Sequence, residues 1–405
     1  MQTRLSVLCL LAALTLLGAG CAQRPSSVQL VDAWEVVTVT QQHPIRIGVA
    51  ITPNDALLRT EEPVLRTEGL EYLRGIELAV QRLPRIKGFP VEIVRVDTGC
   101  SAEGGQSSAE ALIGEPNLVA VIGPLCSEAC QASAPIYEEA HLTAISPSCS
   151  AMVLTDEMLH VGAFMRTMYG DALEADAAAR FAYTQLGARR VALIHDGTLE
   201  TADLITAFEA SFVRQGGQIV SNVAIPRGEE DLHPLLTEVA STRPDLIYAP
   251  LLPAPAAQLV LQMNTTALAG IPLMGGRHMI STWFLQRVGL VTSGTYAVGP
   301  YLEGEAYSSL VEAYVERYGE QPSSALFAFA YDATTLALQA VEDVAVTDGQ
   351  SLRIGRQALR QNLYSASNRP GVTGTLTCTL WGDCSVGALA VYQVRENEWQ
   401  VIYIP

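Results

Sequence analysis

Two hydroxyl-rich turns, one βα unit apart, carry the residues of this sequence best suited to holding a small anion. The first follows Leu118–Ile122, a short apolar run of the kind that forms a buried parallel strand. Gly123-Pro124 ends that strand, and Ser127 is placed to cap a helix running through Ala132, Ile136 and Tyr137 to about Ala140. The second follows Leu142–Ile145 and reads Ser146-Pro147-Ser148-Cys149-Ser150, with a helix over Ala151–Leu159 expected beyond it. In an open α/β sheet both turns fall at the carboxyl ends of the strands, the usual ligand crevice. Helix N-termini there present free N–H groups and a positive dipole end, which suit a carboxylate. The serines, and His195-Asp196 at the end of a strand, invite comparison with nucleophilic or acid–base chemistry. The sequence contains no GxSxG elbow, HExxH, P-loop or GxGxxG, so a binder without a cofactor is expected rather than an enzyme.

The elements that must position these turns alternate regularly. Ile45–Ile51 reads as a strand, Thr52–Thr67 as a charged loop, and Gly69–Leu83 as a helix with apolar residues near 3.6 spacing. Pro90–Val96 is a strand and Ser107–Ile113 a helix before the central stretch. The pattern restarts with helix Gly170–Gln185, strand Arg190–His195, helix Leu199–Gln215 and strand Gln218–Ala224. Helix Asp231–Ser241, strand Asp245–Ala249, helix Ala254–Thr266 and strand Ile271–Met274 follow. Tyr296–Tyr301 reads as an extended connection, Gly304–Tyr318 and Ser324–Val344 as helices, and Val372–Pro405 as β-rich. Such alternation predicts an α/β protein with doubly wound parallel sheets in two lobes.

At 405 residues the chain has room for two cores, and 49% hydrophobic with 17% charged residues describes a packed globular protein. A formal charge of −17 argues against nucleic acid and against electrostatic docking to anionic lipid. The N-terminus carries a basic start, Met1–Arg4, and an apolar run, Leu5–Leu17, too short to span a bilayer as a helix. Gly18-Ala19-Gly20 and then Cys21 follow. This resembles a bacterial lipoprotein signal peptide over residues 1–20, with Cys21 the lipidated first residue of the mature chain, although Gly18 stands where that pattern prefers Leu. Residues 21–44 read as a tether, with Val36–Val39 an added strand. With Cys9 and Cys21 set aside, Cys100, Cys126, Cys130, Cys149, Cys378 and Cys384 form an even set, which in an exported chain points to disulfides. Cys378 and Cys384 flank a hairpin-like turn and most simply pair with each other; metal binding has no supporting ligand spacing.

Three strings carry a resemblance: Val121-Ile122-Gly123-Pro124-Leu125-Cys126-Ser127, Ala134-Pro135-Ile136-Tyr137-Glu138-Glu139, and Ile145-Ser146-Pro147. Together with Ile47-Gly48-Val49, Ile86-Lys87-Gly88 and Arg190-Val191-Ala192-Leu193-Ile194-His195-Asp196, they are similar to the leucine/isoleucine/valine-binding proteins of ABC importers. The resemblance implies a type I periplasmic binding protein fold, two α/β lobes joined by three crossovers near Arg166–Tyr169, Tyr296–Tyr301 and Gly371–Gly374. Residues 45–167 and 300–372 would form the N-terminal lobe, and 168–299 and 373–405 the C-terminal lobe. It pairs Cys100 with Cys126, leaving Cys130 and Cys149 beside the crevice as a further bridge. It puts the ligand's carboxylate on Ser127, Ser148 and Ser150, with Cys149 between the last two. In the second lobe it puts Arg277 where the family has the acid that pairs with the ligand's ammonium, Leu252 where it has a tyrosine, and Glu200 and Glu68 at two other aromatic positions. A cation facing an ammonium costs affinity. The ligand is therefore expected to be an organic acid, to bring a second anionic group to Arg277, or to have its ammonium met by Glu68 or Glu200 from a new direction. The partners implied are a small molecule and an ABC permease, or alternatively a membrane receptor served by the same module as a sensor. The protein itself is expected to be monomeric, outside the cytoplasm and held to the membrane by its lipid alone.

Overall fold

The computed structural model describes residues 32–51, 63–226, 228–289, 294–385 and 387–405, with the side chains of 63–68 outside that description. The leader, Cys21, most of the charged loop and the Glu68 side chain thus lie outside the described residues. Two sheets organise the rest. The first has six strands in the spatial order Arg85–Ile86, Phe89–Val96, Ile45–Ala50, Leu118–Ile122, Ala144–Ser146 and Phe164–Arg166, parallel except for the two-residue edge strand. The second has seven, in the order Glu398–Tyr403, Leu389–Arg395, Thr295–Pro300, Leu273–Gly275, Leu246–Tyr248, Arg190–His195 and Gln218–Ala224. In it Leu389–Arg395 runs antiparallel to both of its neighbours, Glu398–Tyr403 and Thr295–Pro300. Leu118–Ile122 is buried at every position, as a strand covered by helices on both faces must be. The fold is the expected α/β type I periplasmic binding protein architecture.

Several elements differ from the sequence reading. Thr295–Pro300 is no mere connection: it pairs parallel with Leu273–Gly275 and antiparallel with Leu389–Arg395, and so closes the middle of the second sheet. The expected helix Ala151–Leu159 is a single 3₁₀ turn, Met152–Thr155. Tertiary bonds take the backbone and side chains that a longer helix would need: Arg166 Nη1 donates to the Ala151 carbonyl (3.0 Å) and Nη2 to Thr155 Oγ1 (2.7 Å). The third passage between lobes also comes later than Gly371–Gly374. Val372 and Thr373 donate to Asp332 on the helix Leu326–Val344, and Cys384 N donates to the Arg166 carbonyl (2.9 Å). The chain thus stays with the first sheet until Leu389 pairs with Pro300. The strand expected within the tether is present, by contrast: Val36–Thr40 pairs antiparallel with Ser351–Gly355.

In the second lobe Phe208, fully buried on the helix Leu199–Arg214, stacks on Tyr248 with ring centroids 4.0 Å apart and on Phe212 at 5.5 Å. That stack holds the end of the strand Leu246–Tyr248 against the helix. Phe208→Ala is expected to lower the unfolding free energy by about 3–5 kcal/mol, because it deletes a buried ring and leaves a cavity. Urea denaturation followed by circular dichroism measures this.

Candidate functional site

The turn Ser146–Ser150 is built by its first serine. Ser146 Oγ donates to the Pro124 carbonyl (2.7 Å) and accepts from Ser148 N (3.2 Å) and Cys149 N (2.9 Å). One hydroxyl thereby ties the two strand-to-helix turns together and turns the chain back. Gly123 lets the first turn pass close to the end of the neighbouring strand Ile45–Ala50: its φ is +106°, and a Cβ there would lie 2.3 Å from the Ala50 carbonyl oxygen. The disulfides Cys100–Cys126 and Cys130–Cys149 fasten both turns, with Cα separations of 5.2 and 6.6 Å; Cys378 is bonded to Cys384.

Ser127 does not cap its helix. The helix Ser127–Glu139 begins at that residue with Cys126 in the cap position, and Ser127 Oγ accepts instead from Ala151 N (3.2 Å). The hydroxyl is thus spent on joining the two turns. Ser148 Oγ donates to the Leu125 carbonyl, and Cys149 is committed to its disulfide. Ser127, Ser148, Cys149 and Ser150 are therefore brought together, all buried.

Arg277 reaches the same place from the second lobe. It lies in a 3₁₀ turn, Arg277–Met279, just after the strand Leu273–Gly275, and is buried. Nη2 donates to Ser150 Oγ and to Glu200 Oε1, both at 2.6 Å; Nη1 donates to Glu174 Oε2 (3.0 Å) and Asp171 Oδ1 (3.4 Å). Its backbone N donates to Glu174 Oε1 (3.1 Å). Gly276 leaves room for that carboxylate, since a Cβ there would meet Glu174 Oε1 at 2.5 Å. His278 Nε2 meets Glu200 Oε1 at 2.9 Å. Leu252 heads the neighbouring helix Pro253–Met263 and is half-buried.

Other bonds join the lobes around this centre. Leu199 N donates to Glu128 Oε1 (2.8 Å), Met152 N to Asp203 Oδ2 (2.7 Å), and Thr282 N to the Ser323 carbonyl (3.3 Å). Among the described residues no cluster of His, Cys, Asp and Glu is arranged to hold a metal ion, and no helix is long and apolar enough to cross a membrane.

Sequence reading singled out Ser127, Ser148, Ser150, Glu200 and Arg277, and missed Ser146, Asp171, Glu174 and His278. Asp171 and Glu174 had a signal: two acids one helical turn apart, directly after the first crossover. In a sequence that pattern reads as ordinary favourable charge at a helix start.

The two ends of the acid cluster titrate in opposite directions. Burial, reinforced by the Glu200 charge and opposed by Arg277, pushes the Asp171 carboxyl up to about 8. Burial also works against ionised Glu200, but Arg277 and His278 outweigh it and hold that carboxyl down at about 2. Folded Asp171 therefore keeps a proton that the unfolded chain has released from about pH 4 upward. Its stabilising contribution is whole below about pH 4 and is lost as the pH rises towards 8. Glu200 contributes above its ordinary range and loses that contribution only as the pH falls towards about 2. Asp171→Asn is expected to melt near wild type at about pH 5 and above it at about pH 8.5. Paired thermal melts measure the gap, and one that narrows with rising pH contradicts the assignment.

Known proteins resemble this chain in sequence and in fold. A family model described as periplasmic binding protein matches residues 64–395. An amino acid binding protein of Pseudomonas aeruginosa is 27% identical over 203 residues, 49% of this chain and 54% of that protein. The Leu/Ile/Val-binding protein of Escherichia coli is 26% identical over 183 residues, 44% of this chain and 49% of its own length. The chain thus spans about half the length of these curated relatives. The leucine-binding protein LivK of Thermotoga maritima superposes with a TM-score of 0.78 at 24% identity, over 89% of this chain and 98% of that one. A solute-binding protein of R. palustris in complex with benzoate superposes at 0.76 and 19% identity, over 89% of this chain and 96% of that one. The chain belongs to the periplasmic binding protein family, a family of binders and not of enzymes.

Proposed function

We propose that this protein is an extracytoplasmic solute-binding lipoprotein, anchored through Cys21, that delivers a small polar metabolite to an ABC importer by closing its two lobes on it. One observation carries the reading: Ser150 of the first lobe and Arg277 of the second meet at 2.6 Å within a buried polar centre. Hydroxyls and a strand-to-helix turn on one side face charged groups on the other, the division of labour that grips a small charged solute between opposed walls. Relatives bearing the name Leu/Ile/Val-binding protein, and a structural neighbour holding benzoate, support a ligand with a carboxylate or a comparable polar end. Lobe closure is the motion that such a two-walled site needs, because neither wall alone surrounds the solute. The protein acts as a monomer in this reading, with its permease as the only protein partner.

A thermal-shift screen of amino acids and organic acids identifies the solute, and calorimetry on the strongest hit tests the site. Ser150→Ala is expected to weaken that hit about tenfold or more, and Arg277→Ala to change its affinity as well. Unchanged affinity in both variants removes this centre from solute binding. Fractionation of cells expressing Cys21→Ala, expected to release the protein from membranes, tests the anchor.

A further inference from the structure

The most exposed large apolar side chains among the described residues stand together. Met158, Leu380 and Leu159 are 89%, 77% and 62% exposed, and Trp381 adjoins them at 36%. A lone exposed leucine is ordinary, whereas a contiguous apolar group marks a contact surface. Two turns, 156–160 and 379–383, bring the four together. The rings of His160 and Trp381 meet edge to face with centroids 6.3 Å apart.

Neither turn is placed to fold its apolar residues away. In the first, Leu159 N and His160 N both donate to the Asp156 carbonyl (3.2 and 2.8 Å). His160 Nδ1 meets the Leu154 carbonyl at 2.9 Å and Nε2 meets Tyr364 Oη at 2.8 Å. In the second, the Cys378–Cys384 disulfide closes the turn. Arg166, in the edge strand of the first sheet, donates its N to the Gly382 carbonyl (2.8 Å) and accepts from Cys384 N (2.9 Å). Both turns are thus fastened to the first lobe with their apolar residues turned to solvent.

The occupant of this face follows from the neighbouring helix, Arg356–Tyr364, which Tyr364 ends. Near its start Asp32 Oδ2 accepts from Ala358 N (3.0 Å), and Arg356 pairs with Glu35 (2.7 Å). Trp34 stacks on the His141 ring at 4.8 Å and carries the Arg360 guanidinium over its own ring at 4.5 Å. The chain therefore leaves the first lobe at a fastened point. From Ala358 to the tyrosine that touches His160 is about 9 Å of helix rise. Ten residues, 22–31, separate Asp32 from Cys21, and that stretch reaches at most about 40 Å even fully extended.

We propose that these two turns are the face by which the first lobe rests on the bilayer holding the acylated Cys21, with Met158, Leu159, Leu380 and Trp381 at the lipid interface. The proposal rests on the lipoprotein reading above and adds an apolar contact to the lipid anchor. Four side chains hold a surface weakly by themselves, but a short tether keeps them at high effective concentration beside it. A tryptophan, with an apolar body and an N–H edge, suits the headgroup level. The contact needs no positive charge, so it is compatible with a net charge of −17. Asp156 and Glu157 beside the patch favour zwitterionic over anionic lipid. Because both turns are bonded to the first lobe, resting on them leaves the second lobe free to move.

The test uses the full protein purified from membranes, its acylation checked by intact mass, in phosphatidylcholine vesicles with ordinary or brominated acyl chains. Bromine at the interface is expected to quench part of the tryptophan emission. Trp381→Phe is expected to lose most of that quenching, with Trp34, Trp283 and Trp399 contributing little. Met158→Ser combined with Leu380→Ser leaves every tryptophan in place and is expected to at least halve the quenching, with a melting temperature near that of wild type. This double variant serves if Trp381→Phe does not fold. Equal quenching in wild type and both variants overturns the resting face. Dimerisation at raised concentration that the double variant abolishes gives the patch to a second copy, and quenching confined to vesicles carrying the permease gives it to that partner; either result overturns the proposal. A mature chain without acyl groups brings down the lipoprotein reading and this one together, whereas acylation without quenching brings down this one alone.

Discussion

A guanidinium buried between two lobes is the constraint on which the rest depends. Removing Arg277 from water costs several kcal/mol, and only close carboxylates repay such a cost. Three of them come from two helix starts, Asp171 and Glu174 on one and Glu200 on the other. The second lobe must therefore bring both helix N-termini to the turn after Leu273–Gly275. The strand Arg190–His195 delivers the Glu200 helix from its carboxyl end, and the helix Asp171–Thr184 enters directly from the first-lobe strand Phe164–Arg166. The fourth partner, Ser150, lies in the other lobe, so the same residue that organises one wall also touches the opposite one.

The first lobe solves a different problem. Its two strand-to-helix turns have to be held close together. Ser146 holds Ser148 and Cys149 by their backbone N–H groups, Ser127 holds Ala151 by its own, and two disulfides fasten the ends. The wall is thus tied together by hydroxyls and crosslinks, while the wall facing it gathers Asp171, Glu174, Glu200 and Arg277.

Much of this was legible in the sequence where local pattern and final environment agree. Leu118–Ile122 is a continuous apolar run because both faces are buried, and the helix–strand alternation follows from parallel strands needing crossovers. The serines of the second turn and Arg277 stood out by type and position. What stayed hidden was decided by partners far away in the chain. Ser127 carries an ordinary capping signature, yet its hydroxyl goes to Ala151, which only the folded turn brings near. Ala151–Leu159 has helical spacing, but Arg166 claims the Ala151 carbonyl and the Thr155 hydroxyl. Asp171 looks like any acid at a helix start until Arg277, 106 residues later, arrives beside it. Thr295–Pro300 becomes a central strand because Leu389–Arg395 returns from the far end of the chain to pair with it.

The bridge between Cys130 and Cys149 joins the helix Ser127–Glu139 to the middle of the serine turn. Where thiols are kept reduced that covalent link opens, as does the one between Cys100 and Cys126. The serine wall then relies on a handful of hydroxyl bonds, and its chain regains much of the conformational freedom that the crosslinks removed. Oxidation of the cysteines is therefore a maturation step for this wall, completed after synthesis and dependent on the redox character of the compartment in which the chain comes to rest.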